Sequence, residues 1–224
     1  MSPVRTNVVA VVPCLNEART VGSIISGLLS TVGKVIVVDD GSTDDTSSIA
    51  CREGADVIRH ESPQGKGASL AVGWKKAAQL GAEWVLLLDG DGQHDPSDAP
   101  SFFRRAEAGA RLVVGDRMSV GDSMPGIRWA TNRWVSHRIS LLAGQTIPDA
   151  LCGYRLVHLA SLRSLQLSAV RFEVESEMNV AFARAGFPLA FVPIKARYGT
   201  ECSKISPIWD TLRWFRWYFR ARYS

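Results

Sequence analysis

Residues 85–96 read VLLLDGDGQHDP. Four apolar residues run directly into Asp89, Asp91 and Asp95, with Gly90 and Gly92 between the acids. A short, continuously apolar run fits a strand buried on both faces, and both faces are covered where helices pack on a parallel sheet. Ligands of such sheets collect outside the carboxyl ends of the strands, which is where these acids fall.

The pattern repeats outward from this stretch. Apolar strands are expected at 7–12, 34–39, 56–60, 83–89 and 111–116. Val21, Ile24, Ile25, Leu28, Leu29 and Val32 recur at helical spacing between the first two. A second helix opens at Ser42 or Thr43 and closes near Gly54, a third runs from about Gly65 to Gly81, and a fourth from Pro96 to Gly109. Repeated βα units predict an α/β fold: a Rossmann-like, mostly parallel central sheet flanked by helices in a single domain. The second half reads as an elaboration of that sheet. It offers a loop at 118–126, a helix with Trp129, Trp134, Ile139 and Leu142, a turn at DALCGYRLV (149–157), a helix at 173–186 and a strand within 187–198.

Composition narrows the classes. A chain of 224 residues, 46% hydrophobic, can bury a sizeable core and is neither disordered nor fibrous. A net charge of +4 suits nucleotides, phosphates or membrane surfaces and does not call for nucleic acid. Cys14, Cys51, Cys152 and Cys202 are widely spaced with no C-x-x-C pair. That spacing supports neither a zinc site nor a disulfide framework, and it reads as reduced thiols of a cytosolic protein. The N-terminus shows no cleavable signal pattern, and no run approaches the ~18 apolar residues of a membrane-spanning helix.

Asp39 and Asp40 close the second strand, as Asp89 and Asp91 close the fourth. Four acids at neighbouring strand mouths repel one another unless a cation or hydrogen-bond donors sit among them. Asp89 and Asp91, two residues apart, share a face at about 7 Å between Cα atoms if strand geometry persists. With Gln93 they offer oxygen ligands suited to Mg²⁺ or Mn²⁺ completed by phosphate and water. Asp-Gly-Asp-Gly is also ordinary turn chemistry, and these residues alone leave both readings open. A calcium loop is excluded, because His94 and Pro100 stand where a Gly and a Glu are required. Neither G-x-x-x-x-G-K-[ST] nor a G-x-G-x-x-G after the first strand occurs.

An ordered series of motifs is more specific: VVPCLNEARTV (11–21), VIVVDDGSTDDT (35–46), GKGASLAVGW (65–74), LLLDGDGQHDP (86–96), GDRM (115–118), CGYRL (152–156), FEVESEM (172–178) and YGTECSKI (198–205). The chain resembles the inverting family 2 glycosyltransferases of the GT-A fold, above all their dolichyl-phosphate mannose synthase and polyprenyl-phosphate glycosyltransferase branch. The resemblance implies transfer of a hexose, mannose or glucose, from a nucleotide-diphosphate sugar to a polyprenyl (dolichyl or undecaprenyl) phosphate with inversion. It assigns Pro13, Asn16, Glu17, Asp39, Asp40, Lys66 and Asp89 to the nucleotide sugar. Asp89, Asp91 and Gln93 fall to a Mg²⁺ or Mn²⁺ ion. Arg117, Arg133, Ser203 and Lys204 fall to the acceptor phosphate, and Asp91, Arg117 and Lys204 to catalysis.

Arg binds phosphate oxygens through a planar fork, whereas Lys offers a compact charge. For Arg133, with Arg128 and Arg138 on the same expected helix, a solvated face is equally open. A phosphate oxygen is already ionised near neutral pH and needs no general base. Glu175 or Glu177 would supply one if the acceptor were an alcohol or a glycan; otherwise both read as acids on a helix surface.

Residues 206–224 hold three tryptophans and four arginines. On a helical wheel Ile208, Leu212, Phe215, Phe219 and Tyr223 share a face, with Arg213, Arg216 and Arg220 on one flank. The expected organisation is a transferase domain over 1–205 followed by an amphipathic helix at 206–224. That helix either lies in a membrane interface or packs on its own domain. The first option places the protein in the cytoplasm, peripheral at the cytoplasmic face of the membrane. A degenerate transferase fold serving as a membrane-surface binding module is the reading from outside the enzymes.

Overall fold

A computed structural model describes residues 7–120, 124–198 and 207–223. In chain order the elements are β1 (Val8–Cys14), α1 (Val21–Leu29), β2 (Val35–Asp39), α2 (Thr46–Arg52), β3 (Asp56–Arg59), α3 (Lys66–Gln79), β4 (Trp84–Leu87) and α4 (Ala99–Glu107). They continue with β5 (Leu112–Asp116), α5 (Gly126–Ala143), β6 (Arg155–His158), α6 (Leu159–Arg163), α7 (Val174–Arg184), β7 (Leu189–Pro193) and α8 (Pro207–Tyr223). The strands form one sheet in the order β3-β2-β1-β4-β6-β5-β7. β1 pairs in parallel with β2 and β4, β2 with β3, and β5 with β7. Only β6 runs antiparallel, between β4 and β5.

The sheet is mostly parallel and flanked by helices, as the apolar runs required. β2, β4 and β5 are buried along their whole length. Val21, Ile24, Ile25 and Leu28 turn the apolar stripe of α1 into the same core.

Three expectations change. DALCGYRLV is not only a turn, since its last three residues and His158 form β6. Four residues are too few to show a period, and Arg155 in the first position disguises a buried strand. The second helix begins at Thr46, because Ser42 and Thr43 are otherwise engaged. Ser42 Oγ accepts the Asn16 N–H at 2.8 Å, and the Thr43 N–H donates to Asn16 Oδ1 at 2.8 Å. The fourth helix begins with a single 3-10 turn at Pro96–Asp98, and Asp95 caps it by accepting the Ser97 N–H at 2.9 Å.

α8 packs on its own domain through one face. Trp217 and Tyr218 join Val135 and Ile139 of α5 and Val180 of α7 in a second apolar cluster. Trp214 Nε1 donates to Ser176 Oγ at 3.0 Å. Trp209, Leu212, Phe219 and Tyr223 remain exposed on the same helix, and the side chain of Ile208 lies outside the described residues. Among the described residues no helix is long and apolar enough to cross a membrane.

Candidate active site

One cleft of about 440 Å³ opens over the carboxyl ends of β1, β2, β4 and β5. Pro13, Glu17 and Asp40 line one end, Lys66, Asp89, Asp91 and Gln93 the middle, and Arg117, Arg128, Trp134, Trp214 and Phe215 the other.

At the first end Asp40 accepts the N–H groups of Gln64 at 2.9 Å and Gly65 at 2.8 Å, and meets His60 Nδ1 at 2.7 Å. Burial works to raise its pKa, but these bonds hold it below the ordinary carboxylate value. Gly65 has φ +105°, and a Cβ there would lie 2.8 Å from the Val170 carbonyl oxygen, so glycine alone delivers Lys66 into the cleft.

Asn16 and Asp39 do not line the cleft. Asn16 takes φ 53° and ties the loop after β1 to the loop after β2. Asp39 is fully buried and accepts the Ser42 N–H at 2.7 Å and the Ser47 hydroxyl. Both shape the loops that carry Pro13, Glu17 and Asp40.

In the middle, Lys66 Nζ bridges two carboxylates, at 2.6 Å from Asp89 Oδ1 and 2.5 Å from Glu175 Oε1. Burial would lower the Lys66 pKa, but the two carboxylates hold the ammonium above its ordinary value. Asp89 answers in kind: burial works to raise it, and Lys66 brings it below its usual value. A Cβ on Gly153 would fall 2.2 Å from Asp89 Oδ2, so the loop before β6 cradles that carboxylate and leaves no room for a side chain. Gln93 donates to Asp91 from its backbone at 3.0 Å and from Nε2 at 2.8 Å. Burial, and then the charge of Asp89, push the Asp91 pKa up to about 6.

This donor set fits a hard divalent cation. Excess negative charge gathers at Asp89 and Asp91, an ammonium already contacts one of them, and the ligand atoms that Asp89, Asp91 and Gln93 offer are oxygens. Among the described residues no three His, Cys, Asp or Glu side chains converge as a ligand set, so a metal here would complete its shell with Gln93, substrate phosphate and water. His94 Nδ1 and Ser69 Oγ are buried at the cleft without hydrogen-bond partners among the described residues. Burial pushes the His94 pKa down to about 4, which keeps the imidazole neutral.

At the far end Arg117 forms a two-pronged pair with fully buried Asp149, Nε to Oδ2 at 2.7 Å and Nη2 to Oδ1 at 2.9 Å. Arg128 and Arg171 also line the cleft. Arg133 does not, and its guanidinium stands 5.1 Å from the Trp129 ring on an exposed stretch of α5. Ser203 and Lys204 lie outside the described residues.

Glu175 and Glu177 are not surface acids, for both are buried. Glu177 accepts the N–H groups of Ser168 and Ala169 and anchors a loop, whereas Glu175 faces Lys66. Arg155, 1% exposed, donates to the carbonyls of Cys152 at 2.7 Å, Glu175 at 2.8 Å and Ala150 at 2.9 Å. It thereby stitches the Gly153 loop to α7. Arg155 and Glu175 lie in motifs that carry the family resemblance, CGYRL and FEVESEM, but periodicity does not reveal their partners.

The sequence profile described as Glycosyl transferase family 2 matches residues 9–165. The UDP-N-acetylglucosamine-dolichyl-phosphate N-acetylglucosaminyltransferase of Methanococcus voltae is 29% identical over 217 residues, covering 86% of each chain. The undecaprenyl-phosphate mannosyltransferase of Micrococcus luteus is 27% identical over 202 residues, covering 84% of this chain and 82% of the relative. Among solved structures, glucosyl-3-phosphoglycerate synthase from Mycobacterium tuberculosis with phosphoglyceric acid superposes with TM-score 0.76 at 24% identity, covering 97% of this chain and 80% of that one. The same enzyme with Mn²⁺ and UDP-glucose superposes with TM-score 0.69 at 25% identity, covering 93% and 74%.

Proposed function

The chain belongs to glycosyl transferase family 2, and from that premise we propose that it moves a hexose, mannose or glucose, from a nucleotide-diphosphate sugar to a polyprenyl phosphate with inversion. The observation that carries this reading is the continuous cleft over the strand ends. It runs from the acids at Asp89 and Asp91 to an end built of Arg117, Arg128, Trp134, Trp214 and Phe215, where cations and aromatic rings suit a phosphate joined to an apolar chain.

Pro13, Glu17 and Asp40 hold the nucleoside, the carboxylates accepting from ribose hydroxyls or base N–H groups. Mg²⁺ or Mn²⁺ held by Asp89, Asp91 and Gln93 would neutralise the diphosphate as the nucleotide leaves. Lys66, kept charged between Asp89 and Glu175, adds a cation at the same place. Arg117, fixed by Asp149, orients the acceptor phosphate. One of that phosphate's oxygens attacks the anomeric carbon while the bond to the nucleotide diphosphate breaks on the opposite face. The nucleophile is already ionised, so no side chain removes a proton. The exposed aromatic residues of α8 would bring the cleft to the membrane surface, which fits a peripheral protein at the cytoplasmic face.

A second reading keeps the phosphate and drops the lipid. The likeness to glucosyl-3-phosphoglycerate synthase favours a small soluble acceptor that carries phosphate. Purified protein incubated with Mg²⁺ or Mn²⁺, labelled sugar nucleotides and short-chain polyprenyl phosphate tests the first reading. Label should pass into the organic phase; label that enters only water-soluble product in the presence of 3-phosphoglycerate supports the second.

A further inference from the structure

A separate cleft of about 350 Å³ lies where α5, α7 and α8 meet, lined by Arg138, Leu141, Leu142, Arg184, Tyr218 and Arg222. Three arginines line it, and no lining residue is acidic. Each is steadied by something other than a carboxylate. Arg138 stands 5.4 Å from the Trp134 ring, Arg184 Nε donates to the Leu142 carbonyl at 3.3 Å, and Arg222 lies 5.9 Å from the Tyr223 ring. None of the three forms an ion pair among the described residues.

Three arginines around one cleft with no carboxylate partner among the described residues favour an anion within it. The guanidinium fork matches phosphate oxygens in particular. On the two helices that carry Arg138 and Arg222, Leu141 is 60%, Phe219 51% and Tyr223 82% exposed, so apolar surface accompanies the charge. Charge and apolar area side by side describe a lipid headgroup at its boundary with the acyl chains.

We propose that this cleft binds the phosphate of an anionic phospholipid and thereby seats α5 and α8 on the membrane. The inference rests on the membrane-surface part of the proposed function and assigns the contact to three named arginines.

Sedimentation of the full chain with phosphatidylcholine vesicles, with and without phosphatidylglycerol, tests it. Replacing Arg138, Arg184 and Arg222 by Gln should weaken binding to the anionic vesicles about a hundredfold, at roughly fivefold per arginine. A charge-matched variant on α2 and α4, Arg52→Gln with Arg104→Gln and Arg105→Gln, should lose less than about threefold. Replacing the three cleft residues by Lys keeps the charge and removes the forks; it should lose about tenfold, and it carries the test if the Gln variant melts early. Equal losses in the two charge-matched variants would overturn the proposal. So would binding of sn-glycerol 3-phosphate by the wild type as tight as binding to vesicles. Transfer to a detergent-dispersed acceptor should be unchanged in the cleft variants, so failure here is distinguishable from failure of the transferase reading.

Discussion

The Lys66 ammonium lies 2.5 Å from the Glu175 carboxylate, so the acid best placed to act as a general base is already committed to an ion pair. A Glu175→Gln variant should therefore keep most of its rate toward a phosphate acceptor, with kcat down less than about tenfold. A missing base costs about 10²–10⁴-fold. The pH profile of kcat separates the two, because only a base would take an acid limb with it.

Asp91→Asn should abolish metal-dependent turnover yet stabilise the metal-free protein in alkaline solution. The Asp91 pKa rises from 3.8 in the unfolded chain to about 6 in the fold, so its contribution to stability is present below about pH 4 and lost as pH rises through 6. Removing the charge restores at most about 3 kcal/mol. Melting curves in chelator should show the variant above wild type at pH well above 6, with the gap closing toward pH 4. A variant that melts lower at alkaline pH would contradict the crowding of charge between Asp89 and Asp91.

Gly153→Ala places a methyl group 2.2 Å from Asp89 Oδ2 and 2.9 Å from Lys66 Nζ. The carboxylate must rotate or the loop must move. Mn²⁺ affinity, read by electron paramagnetic resonance, should fall by about 10–100-fold, the range for residues that orient a ligand from behind. Unchanged affinity would remove Gly153 from the site.

Arg117→Lys loses the two-pronged contact with Asp149 and the fork offered to the acceptor. The acceptor KM should rise about tenfold with the donor KM unmoved. Asp149→Ala leaves a buried guanidinium unpaired and should cost about 3–5 kcal/mol in a denaturant titration.

Much of this was legible from local pattern. The apolar runs ending in Asp39 and Asp89 mark the parallel strands because such strands need no alternation, and the motifs that carry the family resemblance hold Asp40, Lys66, Asp91 and Arg117, which line one cleft. What stayed hidden is long-range. Glu175 looked like a helix-surface acid because its partner Lys66 is more than a hundred residues away in the chain. β6 looked like a turn because a buried arginine opens it and finds its partners among backbone carbonyls. Asn16 and Asp39 were acids and amides in the right place, but their hydrogen bonds close on neighbouring loops and away from the cleft. Arg133 shares its helix with Arg128, and the helical turn sends only Arg128 to the cleft.

The proposed nucleophile is a phosphate oxygen on a lipid. A competition in one vessel measures this directly: a short polyprenyl phosphate, the corresponding polyprenol and 3-phosphoglycerate at equal concentration, with one labelled donor and Mg²⁺ or Mn²⁺. The label should appear in a single organic-soluble β-glycosyl phosphodiester, and the polyprenol should stay untouched. Label on the polyprenol, or on 3-phosphoglycerate in preference to the lipid phosphate, would contradict it.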